Sequence, residues 1–260
     1  MICIMQVVAE LGINMNVIGL IPATENLPGG SAYMPGDVLT LNLGYLSSSH
    51  SISIIMGLRE FRVGRFIVIE GIDQSGKKTQ TELLMKRLVK TGYGSVIISF
   101  PVYRTKIGRL IRRSLMDDDK YTPRVRHMLF SANRWELNNQ IEVELSKKTF
   151  LICNRYFYSN LAYGIANGLD ETWLTSLDDG LPRPDLTIFI DISPSLSLTR
   201  KKDQRDVHER DQKLLSRVRR IYRGMANNED WVMIDGRGDP DVIADRIWRC
   251  VREYFKLNDR

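Results

Sequence analysis

Residues 66–88 run FIVIEGIDQSGKKTQTELLMKRL, and the chemistry lies in the middle of that stretch. Gly71 and Gly76 bracket Ile72, Asp73, Gln74 and Ser75, and Lys77 follows directly. Two glycines at this spacing let the backbone aim several N–H groups at one anion, and the lysine reaches phosphate oxygens as a point charge. The apolar run Phe66–Ile69 suits a buried strand, and a helical pattern starts after Lys77. A phosphate held here would therefore sit on a helix N-terminus, which points to nucleotide binding and phosphoryl transfer. One position breaks the pattern G-x-x-x-x-G-K-[ST]. Where a Ser or Thr hydroxyl would ligate Mg2+, the chain has Lys78, followed by Thr79.

The elements around this loop repeat one theme. Short apolar runs at Phe66–Glu70, Ser95–Phe100, Phe150–Cys153, Leu186–Asp191 and Trp231–Ile234 read as strands. Helical periodicity fills the intervals: Thr79–Thr91, Lys106–Met116, Thr122–Lys147, Tyr158–Asn167, Pro194–Lys202, Lys213–Asn227 and Pro240–Phe255. Apolar strands alternating with helices predict an α/β fold, a five-stranded parallel sheet with helices on both faces. Ligands of such sheets bind beyond the carboxyl ends of the strands. Gly71, Pro101, Asn154, Ser193 and Asp235 each follow a strand and so belong to one edge.

The chain has 260 residues, 43% of them hydrophobic and 26% charged, which is enough to bury a full core. Its net charge of +6 favours anionic partners, and nucleotides meet that as well as nucleic acid does. With no basic patch interleaved with aromatics, nucleic acid is not an expected partner. Three scattered cysteines, Cys3, Cys153 and Cys250, show no metal spacing and suit a reduced cytoplasmic setting. The apolar N-terminus lacks a basic flank and is interrupted by Glu10, Asn14 and Asn16, so neither a signal peptide nor a membrane association is expected. Residues 1–60 contain no Lys or Arg before Arg59, and Leu46–Ser53 reads as a linker. The expected division is an extension, 1–60, and a second domain, 61–260.

Further stretches sharpen the second domain. FPVYRTKIGRLI follows the second strand, MLFSANRWE covers Met128–Glu136, NRYFYSNLAYG follows the third strand, and DDGLPRPDLTIFIDIS leads into the fourth. Together with EGIDQSGKKTQ, these segments resemble, in order, the thymidylate kinases of the archaeal and eukaryotic type over residues 64–256. The resemblance implies a P-loop NTPase-type fold with a basic lid, ATP as co-substrate, dTMP as acceptor, Mg2+, and a homodimer. Gly71 to Thr79 would hold ATP. Asp73 would contact the deoxyribose or support the phosphate geometry, and Lys77 would hold the donor phosphates. Phe130 would stack on thymine and Arg134 would hydrogen-bond the base. Their i, i+4 spacing puts them on one helix face, although spacing alone would equally make Phe130 an ordinary core aromatic and Arg134 a surface residue. Arg155 would clamp the acceptor phosphate, with Ser159 on the same helix face as Tyr163. Tyr163 would pack under the sugar where a 2′-hydroxyl would clash. Tyr103 and Arg104 would face the acceptor.

Between Arg200 and Arg223 there are ten Lys or Arg against four Asp or Glu. Such a run is usually a solvated helix face, but by resemblance it stands where a lid closes over ATP. With Gln74 and Ser75 in the loop, catalytic guanidinium must come from elsewhere. Arg205 and Arg210 are the candidates near the phosphates, and Arg200 near adenine, with Gly236 lining that pocket through its backbone.

Three departures from the family pattern touch the chemistry. Lys78 replaces the metal-ligating hydroxyl, Asn154 replaces an Asp after the third strand, and Val102-Tyr103 replace an acid–arginine pair, with Arg104 one residue late. The first two both oppose a cation, each by on the order of 4 kcal/mol at ~4 Å and an effective dielectric of ~20. Thr79 points about 100° away and does not substitute. No metal ligand is therefore assigned. Either the Lys78 ammonium partly stands in for Mg2+, or the chain is a catalytically weak or inactive nucleotide-binding paralogue. A kinase for another nucleoside monophosphate is a further alternative. Residues 9–40 resemble a segment of the cytosolic leucyl aminopeptidases but lack that family's metal ligands. A two-metal hydrolase without ligands has no activity to offer, so a fusion remnant or extended gene start is expected.

Overall fold

The structure, a computed structural model, describes residues 38–42, 51–55, 62–116, 121–200, 212–228 and 231–257. The chain divides into two units, residues 1–60 and 61–260. In the first, β1 (Val38–Asn42) pairs antiparallel with β2 (Ser51–Ile55), Val38 opposite Ile55 and Asn42 opposite Ser51. The stretch expected as a linker is thus strand from Ser51 onward. The alternating SISII pattern, with its β-branched residues, suits a pleated strand better than a flexible connector. Most of the aminopeptidase-like segment lies outside the described residues.

In the second unit five parallel strands form one sheet: β3 (Arg65–Glu70), β4 (Ser95–Ser99), β5 (Phe150–Asn154), β6 (Leu186–Asp191) and β7 (Val232–Asp235), in the order β4-β5-β3-β6-β7. β3 is central, with Ile67 paired to Ile152 on one side and to Leu186 on the other. It is flanked on both edges and covered on both faces, so Phe66, Val68, Ile67 and Ile69 are fully buried. Side chains alternate along a strand. Phe66 and Val68 accordingly join one core with Ile141 of α4 (Asn138–Leu145), Phe157 and Ala162 of α5 (Phe157–Ala166), and Leu215 and Val218 of α8 (Gln212–Asn228). Ile67 and Ile69 join the other core, with Leu84 and Leu88 of α1 (Lys77–Lys90) and Ile243, Ile247 and Val251 of α9 (Pro240–Tyr254).

The strand expectations hold to within a residue at each end. Two helical expectations need correction. The single helix expected over Thr122–Lys147 is two, α3 (Pro123–Trp135) and α4. Leu137 turns the chain between them, its N–H bonded to the Arg134 carbonyl, and Trp135 Nε1 is anchored to the Leu177 carbonyl at 2.8 Å. That distant anchor has no local sequence signal. A short helix, α6 (Glu171–Ser176), was not expected; Asp170 caps it by accepting from the Trp173 N–H. The remaining helices are α2 (Lys106–Leu115), capped by Thr105, and α7 (Pro194–Arg200). Strand order reverses at β3, and the loops after all five strands gather at this switch point. Among the described residues no helix is long and apolar enough to cross a membrane.

Candidate active site

The loop from Gly71 to Gly76 is shaped by close approach. Gly71 has φ 153°, and a Cβ there would lie 2.6 Å from Ser75 Oγ and 2.8 Å from the Ile190 carbonyl. Gly76, at φ 94°, is the residue from which α1 starts. Gln74 (φ 59°) and Arg155 (φ 64°) adopt the left-handed conformation without being glycine. For L-residues this costs about 1–2 kcal/mol each, and such outliers cluster at functional sites. Lys77 is buried, and its Nζ folds back to the Ile72 carbonyl at 2.6 Å. Ser197 on α7 donates to the Asp73 carbonyl at 2.7 Å, and Arg200 donates to the carbonyls of Ser75 (3.3 Å) and Gly236 (2.6 Å). α7 thereby straps the loop, and Arg200 ties it to the segment after β7. Lys78 and Thr79 lie exposed on the first turn of α1.

Beside the loop is a cavity of about 120 Å³, lined by Asp73, Tyr103, Phe130, Arg134, Arg155, Ser159 and Tyr163 among others. Seven residues expected to serve the acceptor converge there. Arg104 does not; it lines the neighbouring cavity with Val102, Leu137 and Gln140. Its one-residue displacement from the family pattern has that consequence. Arg205 and Arg210 lie outside the described residues.

Within the cavity the charges are paired. Arg155 forms a salt bridge through Nη2 with Asp73, and Nη1 donates to Ser159 Oγ at 3.2 Å. Tyr163 donates its hydroxyl to the second Asp73 oxygen at 2.5 Å. Burial opposes the Arg155 charge, but Asp73, with smaller help from Tyr163, Tyr222 and Glu70, outweighs it and holds the guanidinium protonated well above its usual range. Burial, then the Asp73 carboxylate, pushes the Tyr163 phenol well up, so it stays a donor. Arg134 is no surface residue. It is 3% exposed, and its Nε and Nη2 grip both oxygens of Asp178 at 2.9 and 2.6 Å. Arg134 also lines the cavity, with Nη1 not used in the grip on Asp178. Phe130 presents its ring beside the edge of His127, with centroids 5.8 Å apart.

Several residues of the site escaped the sequence reading. Glu70, fully buried, accepts from Ser159 Oγ (2.7 Å), the Tyr222 hydroxyl (2.8 Å) and the Tyr156 N–H (2.8 Å). A carboxylate ending an apolar strand directly before the loop was the available signal. Asp178 sits in the segment that leads into β6, and only that order along the chain is legible. Two buried oxygens, Asn154 Oδ1 and the Tyr156 hydroxyl, have no hydrogen-bond partner among the described residues.

Comparison with known proteins decides the family. The sequence model of thymidylate kinase matches residues 69–247. The chain belongs to the thymidylate kinase family. The Schizosaccharomyces pombe thymidylate kinase is 39% identical over 163 residues, 62% of this chain and 78% of that protein. The Plasmodium falciparum enzyme is 34% identical over 195 residues, 75% of this chain and 91% of the relative. The solved thymidylate kinase of Candida albicans superposes with a TM-score of 0.67 at 33% identity, covering 75% of this chain and 96% of that one. Residues 1–47 match a different family model, the catalytic domain of the cytosol aminopeptidases. The thymidylate kinase match begins inside β3, so the phosphate loop, the cavity and α7 all fall within it.

Proposed function

We propose that residues 61–260 transfer the γ-phosphoryl group of ATP to dTMP, giving ADP and dTDP. The observation that carries this reading is the convergence of Phe130, Arg134, Arg155 and Tyr163 on one cavity that Asp73 of the phosphate loop also lines. In this reading Phe130 stacks on the thymine ring, while Arg134, held in plane by Asp178, offers its remaining Nη1 donors to a base carbonyl. Tyr163 occupies the space a 2′-hydroxyl would need. Arg155, fixed by Asp73 and Ser159, meets the acceptor phosphate.

Transfer moves the phosphoryl group from the ADP oxygen to an oxygen of the acceptor phosphate. That phosphate, with a second pKa near about 6, is already mostly dianionic at neutral pH, so no general base is needed. The protein's work is then positioning and charge stabilisation. Lys77 exchanges its bond to the Ile72 carbonyl for a phosphate oxygen, the loop amides hold the donor, and Arg155 follows the charge on the acceptor side. Arg205 and Arg210 are proposed to complete the charge stabilisation, and the enzyme to act as a cytoplasmic homodimer.

The Mg2+ that the family brings as an expectation does not fit the donor set. The helix position that would offer a hydroxyl carries Lys78, Asn154 offers only a neutral amide oxygen, and among the described residues no group of three or more His, Cys, Asp or Glu could hold a metal.

The test is a coupled assay of ADP release with dTMP, dUMP and dCMP as acceptors. The expected outcome is turnover with dTMP preferred, falling on the order of 10²–10³-fold in Lys77→Ala when one phosphate-clamping group is lost. Tight dTMP binding without turnover would instead identify a nucleotide-binding paralogue.

A further inference from the structure

Among the described residues, every carboxylate at the loop's edge of the sheet is engaged. Glu70 is held by two hydroxyls and an amide, Asp73 by Arg155 and Tyr163, and Asp191, at the end of β6, by Arg219 at 2.6 and 2.9 Å. Asn154, level with Ile69 in the sheet, adds a buried oxygen without charge. Around the same loop the cations are less constrained. Arg200 is bound by two carbonyls, and Lys78 has no hydrogen bond or ion pair among the described residues. Among the described residues, a divalent ion arriving here meets positive charge and no unengaged carboxylate, whereas a bare polyphosphate meets the charge it lacks.

We propose, on the basis of the kinase reading, that the donor loop takes its nucleoside triphosphate as the metal-free polyanion, Lys78 supplying the countercharge that a divalent ion would otherwise bring. Lys78 is exposed, so screening trims its influence to about tenfold rather than the several-hundredfold of a buried charge.

The experiment is titration calorimetry of the full chain with ATP, in excess EDTA and in excess MgCl2 at matched ionic strength, with dTMP titrated into the same samples. The native chain should bind metal-free ATP at least as tightly as the magnesium complex. Lys78→Ser should move the ratio of the two affinities about tenfold toward the magnesium complex, and Lys78→Arg should leave it in place. A native preference for the magnesium complex, or a ratio unmoved by Lys78→Ser, overturns the inference while leaving the kinase reading intact. Normal dTMP binding with no ATP binding in either buffer overturns both.

Discussion

On the acceptor side of the site, each guanidinium faces a carboxylate: Arg134 grips Asp178 and Arg155 grips Asp73. On the donor side, Arg200 is held by carbonyl oxygens and Lys78 by none of the described residues. In the proposed reading the difference follows from what each side would recognise. A neutral base and one phosphate need rigid donors in a fixed plane, and a buried ion pair supplies rigidity at little net gain in stability. A triphosphate needs uncompensated positive charge, which can be kept only where water or backbone oxygens solvate it. On that proposal the acceptor half is built before its ligand arrives, and the donor half is completed by its ligand.

Substitutions can break this contrast. The largest effect is expected from Arg134→Ala, which strands Asp178 as a buried, unpaired carboxylate. Urea unfolding should show a loss of about 3–5 kcal/mol, most of it restored when Asp178→Asn is added. Arg200→Ala leaves no carboxylate behind. Unfolding should shift by less than about 0.5 kcal/mol, as for ordinary surface changes, while ATP affinity falls about tenfold and dTMP affinity holds, consistent with the loss of one charge-assisted contact. The smallest effect belongs to the exposed pair after β7. The hydrogen bonds from Arg237 lower the Asp235 carboxyl to about 2. A depressed carboxylate stabilises the fold above its unfolded pKa and loses that contribution as pH falls through the folded value. Arg237→Ala should return Asp235 toward the ordinary carboxylate range in an NMR titration, with stability at neutral pH nearly unchanged because the pair is solvated.

What could be read from sequence was local. The phosphate loop, the strands and the Phe130–Arg134 helix face each declare themselves within a dozen residues, through glycine spacing or apolar period. The partners that fix those residues do not. Asp178 is 44 positions from Arg134, and Tyr222 is 152 positions from Glu70. On spacing alone Arg134 reads as a surface residue for that reason. Arg104, expected to face the acceptor, lines another cavity instead. The break between α3 and α4 was hidden because no proline or glycine marks it; a tryptophan anchored from a distant loop does the work instead.

The clasp around Glu70 has a mechanical consequence. Tyr222 rides on α8, Ser159 on α5, and both grip one oxygen of the same buried carboxylate, while Ser159 also receives Arg155. Helix, strand end and the Arg155 guanidinium are therefore linked like the arms of a bell crank. A displacement of α8 would be passed through Glu70 and Ser159 to Arg155.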